Sequence, residues 1–245
     1  MLLLDAPSRE RALAALALAP WAQGERLGLH GAARVCAVLR DVLGGPSGEE
    51  PVRVAAAAAL ARAAASDPVA ADALVRAARA EPAAAVRASA VTALEPLAAT
   101  GDLLAVEAII SAASDSGSAT VRAAAARAAS RAVPAAHRHR ALPVLAGLAA
   151  DPDDQVRRAA LGLLEAVWQA GFRTQAQTIL GRLLADEDAG ICRAAHRTLL
   201  RAFLAPPPNI HPPRPPNPLP LPTRRLVAPT DPAPYSPRDI HRSIP

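Results

Sequence analysis

Lysine is absent from all 245 residues, so each of the 27 basic side chains is an arginine. Aromatic residues make up only 2 % of the chain, although 51 % is hydrophobic, so the apolar content is alanine, leucine and valine. That scarcity excludes a β-sandwich or barrel, whose strands draw on aromatic and β-branched side chains, and favours closely packed helices. The two cysteines, Cys36 and Cys192, lie far apart. They supply neither a disulfide framework nor metal-ligand spacing, and each reads as a buried free thiol within an apolar helical pattern.

The missing lysine, together with abundant Ala, Arg, Gly and Pro, is the pattern of a coding sequence rich in G and C. The pI of about 10.7 therefore says little about partners. Formal net charge is only +5, and from Pro206 onward Arg214, Arg224, Arg225, Arg238 and Arg242 against Asp231 and Asp239 supply +3 of it. The rest is nearly neutral. Long charge-free apolar runs are also missing, so no membrane span is expected. Asp5, Arg9, Glu10 and Arg11 precede the apolar stretch Ala12 to Ala19, the wrong order for a secretory signal. An intracellular protein, cytoplasmic or nuclear, is the expectation.

What is present is a repeat. Five motif instances begin at Val52-Arg53, Val86-Arg87, Val121-Arg122, Val156-Arg157 and Ile191-Cys192, with starts separated by 34, 35, 35 and 35 residues. Ahead of each lies an acidic or turn-forming cluster: Glu49 to Pro51, Glu81-Pro82, Asp115 to Gly117, Asp151 to Asp154, and Asp186 to Asp188. Acids near the positive end of a helix dipole and proline in a first turn mark helix starts. An apolar helix is predicted before each cluster, over 29–43, 69–80, 103–113, 135–149 and 174–185. Each period is then a helical hairpin. Counting from the motif valine, positions 0, 3, 4, 7, 8 and 11 fall on one face at about 100° per residue, and a single hairpin cannot bury that stripe without stacking on its neighbours.

The second-helix pattern, clearest in Asp153-Asp-Gln-Val-Arg-Arg-Ala-Ala-Leu-Gly-Leu-Leu164, resembles the HEAT repeat. The resemblance covers roughly residues 28 to 204. It implies an all-α fold, a right-handed α-solenoid of about five HEAT-type hairpins whose second helices line a concave side. It also implies that Arg53, Arg87, Arg122 and Arg157 join acids of neighbouring repeats in a structural ladder. The fifth instance departs by carrying Cys192 at that position, with Arg193 one residue on. Residues 1–27 read as a degenerate N-terminal capping helix, out of phase with the repeats. Residues 205–245, with fifteen prolines from Pro206 onward, read as a disordered tail of polyproline II character.

Catalytic constellations do not emerge. His137-Arg138-His139-Arg140 lacks further metal ligands and reads as a solvated helix-start turn. Gly44 to Gly48 lacks the phosphate-loop spacing and its lysine. There is no His-Glu dipeptide of the kind used by deoxyhypusine hydroxylase, the iron-binding enzyme among HEAT proteins. No enzymatic activity, cofactor or small-molecule substrate is expected.

The repeat phase does single out a surface, because positions +2 and +6 of each second helix point away from the stripe. Val54 and Ala58, then Ala88 and Thr92, are neutral. Ala123 and Arg127, Arg158 and Gly162, then Arg193 and Arg197, turn basic. Arg127, Arg158, Arg193 and Arg197 are therefore the candidate partner-binding residues. The expected function is a non-catalytic protein-interaction scaffold, a piece of a larger complex subunit, with an acidic peptide as a suitable partner. The alternative is a condensin-like protein that holds nucleic acid or another polyanion in a basic concave groove.

Overall fold

The computed structural model describes residues 28–45 and 49–204, together with Ala14 and Ala17, both helical. The expected capping helix otherwise lies outside the described residues, as does the proline-rich tail. Among the described residues every regular element is helical. In chain order they are α1 (Gly28–Gly44), α2 (Glu50–Leu60), α3 (Pro68–Ala80), α4 (Ala84–Ala93), α5 (Glu95–Ala99), α6 (Leu103–Ala112), α7 (Ala119–Ala132), a 3-10 helix (Ala135–Ala141), α8 (Leu142–Leu148), α9 (Asp154–Gln169), α10 (Arg173–Leu184) and α11 (Ala189–Leu204). These form five hairpins. Their first helices are α1, α3, α6, the 3-10 helix with α8, and α10; their second helices are α2, α4 with α5, α7, α9 and α11.

Local chemistry sets the boundaries. Asp67, Asp102, Ser118 and Asp153 each accept a backbone N–H of the first turn they precede, at 2.9 to 3.4 Å. These bonds satisfy donors that the helix cannot. At the other end, Gly171 adopts φ +98°. Its N–H reaches the Trp168 carbonyl at 3.0 Å and that of Phe172 reaches the Val167 carbonyl at 3.3 Å, the paired bonds of a Schellman stop. Two elements differ from a plain hairpin. Pro96 cannot donate to the turn before it, so the second helix of hairpin 2 breaks at Leu94 into α4 and α5. The first helix of hairpin 4 opens as a 3-10 helix over the His137 to Arg140 cluster.

The core is a continuous apolar seam. Val86, Val121, Val156 and Ile191 are fully buried, and Ala160, Leu163, Leu164 and Val167 continue the stripe along α9. Trp168 and Phe172 pack half-buried against it. Alanine dominates where second helices meet, which lets their axes approach closely. The most extensive packing joins α7 to α9, while the first helices of the same hairpins barely touch. Spacing that closes on one side and opens on the other puts the second helices on the inner side of the stack.

Helix α7 corrects one expectation. Ala123, assigned to the outward row, is buried, as are Ala124, Ala125 and Ala126. With α4, α6 and α9 all packed on it, α7 buries eight of its fourteen residues, and its exposed side is narrowed to Thr120, Arg127 and Arg131.

Val156→Asp places an unpaired charge in the seam and is expected to cost upwards of about 4 kcal/mol. The exposed Val69→Asp should shift stability by no more than about 0.5 kcal/mol. Urea denaturation of both variants checks the assignment, and equal midpoints would contradict it.

Candidate interaction surface

Four ion pairs tie each hairpin to the next. Arg87 donates through Nε to Asp115 Oδ2 at 2.8 Å and through Nη2 to Oδ1 at 3.3 Å. Arg122 makes the same two-pronged contact with Asp151 at 2.6 and 2.9 Å, and Arg157 with Asp186 at 2.8 and 3.1 Å. Arg53 pairs with Glu81, but its Nε is buried without a partner. The longer glutamate does not reproduce the fork-to-fork fit of the three aspartates.

The third guanidinium nitrogen turns the other way. Arg87 Nη1 donates to the carbonyl of Glu81 at 2.8 Å, Arg122 Nη1 to that of Asp115 at 3.0 Å, and Arg157 Nη1 to that of Asp151 at 2.9 Å. Each of the three aspartates also accepts a backbone N–H two residues on, from Gly117, Asp153 and Asp188, which fixes the turn in front of the next helix. The result is a relay in which each arginine clamps its own inter-helix turn and the next one. It ends at Cys192, whose thiol donates to the Leu184 carbonyl at 3.1 Å where the other second helices carry a guanidinium.

Charge states follow from this geometry. The Arg157 hydrogen bonds hold the Asp186 carboxyl below its usual range, against the opposing effect of burial and with help from the Asp188 amide. For Asp151, burial pushes upward most strongly, but hydrogen bonds from Arg122 and the Asp153 amide, with the charges of Arg122 and Arg157, together outweigh it and the net shift is downward.

The His137 to Arg140 turn is not uniformly solvated. Arg138 is half-buried and its guanidinium bonds the carbonyls of Val133 at 3.1 Å and Ala166 at 2.9 Å, so one side chain caps the C-terminal ends of α7 and α9. Burial lowers its pKa below the ordinary arginine value. Arg140 pairs instead with Glu107. Among the described residues there is no group of three or more His, Cys, Asp or Glu side chains placed to hold a metal ion.

The second-helix surface carries a different set of arginines. Arg127 and Arg158 line one cleft of about 430 Å³ between α7 and α9, with Ser130, Asp154, Gln155, Ala159 and Gly162. Arg158 contacts Asp154 at 3.4 Å and reaches across to Asp188, ahead of α11, at 3.6 Å, and is 56 % exposed. Arg193 and Arg197 stand exposed on α11 in the equivalent register. The side chains of Arg127, Arg193 and Arg197 have no hydrogen-bond or ion-pair partner among the described residues. The structure thus brings Arg127 and Arg158 to one cleft and leaves Arg193 and Arg197 on the adjoining helix. Ser130 and Gln155 were not legible from the outward rows. Each lies one helical turn from a cleft arginine, and that i, i+3 relation is the signal that finds them.

None of the known protein-family models matches the chain, and neither does any curated protein sequence. Solved structures do. A designed armadillo repeat protein in complex with the peptide (KR)4 superposes with a TM-score of 0.56 at 19% identity, covering 82% of this chain and 96% of that one. The HEAT-like repeats protein of the archaeon Thermococcus onnurineus NA1 gives 0.50 at 18% identity, covering 82% of each. Kap95p, solved bound to RanGDP, gives 0.61 at 18% identity, covering 80% of this chain but 27% of that longer one. The chain therefore has the α-solenoid fold of HEAT and armadillo repeat proteins. Among the described residues no helix is long and apolar enough to cross a membrane.

The depressed aspartates predict acid sensitivity. A carboxyl whose pKa falls on folding, from about 3.9, contributes stability that is complete above about pH 5 and is lost as pH drops through the folded value. Melting temperature measured between pH 3 and 7 should fall steeply below pH 4, and less steeply in Asp151→Asn, which starts lower at neutral pH. Parallel profiles would contradict the relay's role in stability.

Proposed function

We propose that this chain is a non-catalytic scaffold that binds a protein partner along the inner, second-helix side of the stack. Its C-terminal half holds an acidic segment of that partner, in the setting of a larger complex. The observation that carries this reading is the set of exposed arginines on consecutive second helices, three of them without a partner among the described residues.

Two considerations support a protein over a nucleic acid. Single-stranded nucleic acids are held by stacking on aromatic side chains as well as by charge. Here Trp168 and Phe172, the aromatic residues with described side chains, are half-buried against the core. A repeat protein of this fold also takes a peptide. The designed armadillo protein was solved with an alternating Lys-Arg peptide. The exposed arginines here give the opposite charge preference.

The test is affinity capture from a cell extract with the full chain, with and without nuclease, repeated with Arg127, Arg158, Arg193 and Arg197 all changed to Glu. Nuclease-resistant capture of proteins with acidic segments, lost in the variant, is the expected outcome. Capture abolished by nuclease, or undiminished in the variant, would refute the reading.

A further inference from the structure

Exposed apolar side chains are ordinary when scattered and informative when gathered. Val38, Val69, Leu103, Leu104 and Leu200 are the large hydrophobic residues exposed among those described, and Val69, Leu103 and Leu104 fall at the N-terminal ends of α3 and α6. These two first helices pack on each other. The gathering is particular to them. Five residues before the buried Leu39, Leu74, Ile109, Leu145 and Leu180 stand Arg34, Val69, Leu104, Arg140 and Gln175, all exposed. That row is polar in hairpins 1, 4 and 5 and apolar in hairpins 2 and 3.

A cleft of about 300 Å³ opens here, lined by Pro68, Val75, Leu97 and Leu104 among others, at the opposite end of the helices from the arginine relay. Sites for small molecules begin at about this volume, and one large side chain fills it. The charged residues in its lining are Asp72 and Asp102. Asp102 accepts the Ala105 N–H at 2.9 Å, and Asp67, just ahead of Pro68, accepts that of Val69 at 2.9 Å. Both donors are neutral, so both caps keep their negative charge. Asp72 pairs with Arg76 in an exposed contact of the kind that contributes little. The C-terminal ends of α2 and α5 lie at the same edge and offset the dipoles of α3 and α6. Three acids against one base leave the mouth of the cleft negative.

That sign decides the occupant. A second copy of the chain meeting this patch with its own would set acids against acids. The complement is a protein segment in which a large apolar side chain adjoins a lysine or arginine. Its apolar side chain enters the cleft, while the basic residue lays its aliphatic stem on Val69 or Leu103 and brings its charge to Asp72 or Asp102. We infer that the cleft between α3 and α6 docks such a basic-flanked apolar anchor of a partner protein. The site lies on first helices, and its charge preference is opposite to that of the exposed arginines on the second helices.

The experiment selects random dodecapeptides displayed on phage against the immobilised full chain, after depletion on Val69→Gln/Leu104→Gln. Both changes are at exposed positions, and circular dichroism checks that melting is unchanged. Depletion also removes peptides held by the second-helix arginines, which the variant retains. The expected consensus is Leu, Ile, Phe, Met or Trp beside Lys or Arg, in peptides that the glutamine variant binds about tenfold more weakly. Synthetic copies of these peptides should bind Asp72→Asn/Asp102→Asn about fivefold more weakly, the effect of exposed ion pairs. Asparagine still caps α6 in that variant. Absence of enrichment over the glutamine variant, a consensus without basic residues, or undiminished affinity in the asparagine variant overturns the inference. So does sedimentation in which the wild-type chain dimerises and the glutamine variant does not, which assigns the cleft to a second copy.

Discussion

The relay of arginines and acids along one edge of the stack is the interaction on which the rest of the structure depends. Alanine-rich helix faces pack closely but carry little relief, so neighbouring hairpins have few side-chain ridges to fix how far one slides along the next. A guanidinium bound by both prongs to one aspartate has a single geometry. Arg87, Arg122 and Arg157 each add a bond back to their own turn, so that turn and the next are held by the same planar group. The register of three consecutive interfaces follows from the shape of one side chain. Burying these charges is costly unless all their bonds are made, and Arg53, with its unpartnered Nε, shows a rung that is less completely satisfied.

The same relay sorts the arginines by role. Arg53, Arg87, Arg122 and Arg157 have side chains that are at most 17% exposed in their ion pairs, and so contribute little to the field outside the molecule. Arg127, Arg158, Arg193 and Arg197 stand exposed on the second helices instead, and it is their charge that the proposed partner would meet. A formal net charge of +5 would not reveal this, because charge on the helices is nearly balanced and only its placement differs.

Much of the fold was legible because the stripe of Val, Ala and Leu repeats in phase. Helices anticipated over 29–43, 69–80 and 174–185 are found at Gly28–Gly44, Pro68–Ala80 and Arg173–Leu184. What escaped has local physical causes. The break at Leu94 comes from Pro96, a residue outside the repeat pattern. The burial of Ala123 comes from the number of helices around α7, which a single-helix projection cannot count. Arg138 sits in a run that looks solvated, yet two helix ends need its donors. On the candidate surface, the outward rows identified the charged positions. The cleft that joins Arg127 to Arg158 depends on how closely α7 and α9 pack, which no linear spacing encodes.

The central claim is that the relay, beyond apolar burial, holds successive hairpins in register. A double-mutant cycle on Arg122→Ala and Asp151→Ala, measured by urea denaturation, tests it most directly, with the exposed pair Arg76 and Asp72 as reference. The account predicts a coupling above about 1.5 kcal/mol for the relay pair and below about 0.5 kcal/mol for the exposed pair. Equal, near-zero couplings would contradict it.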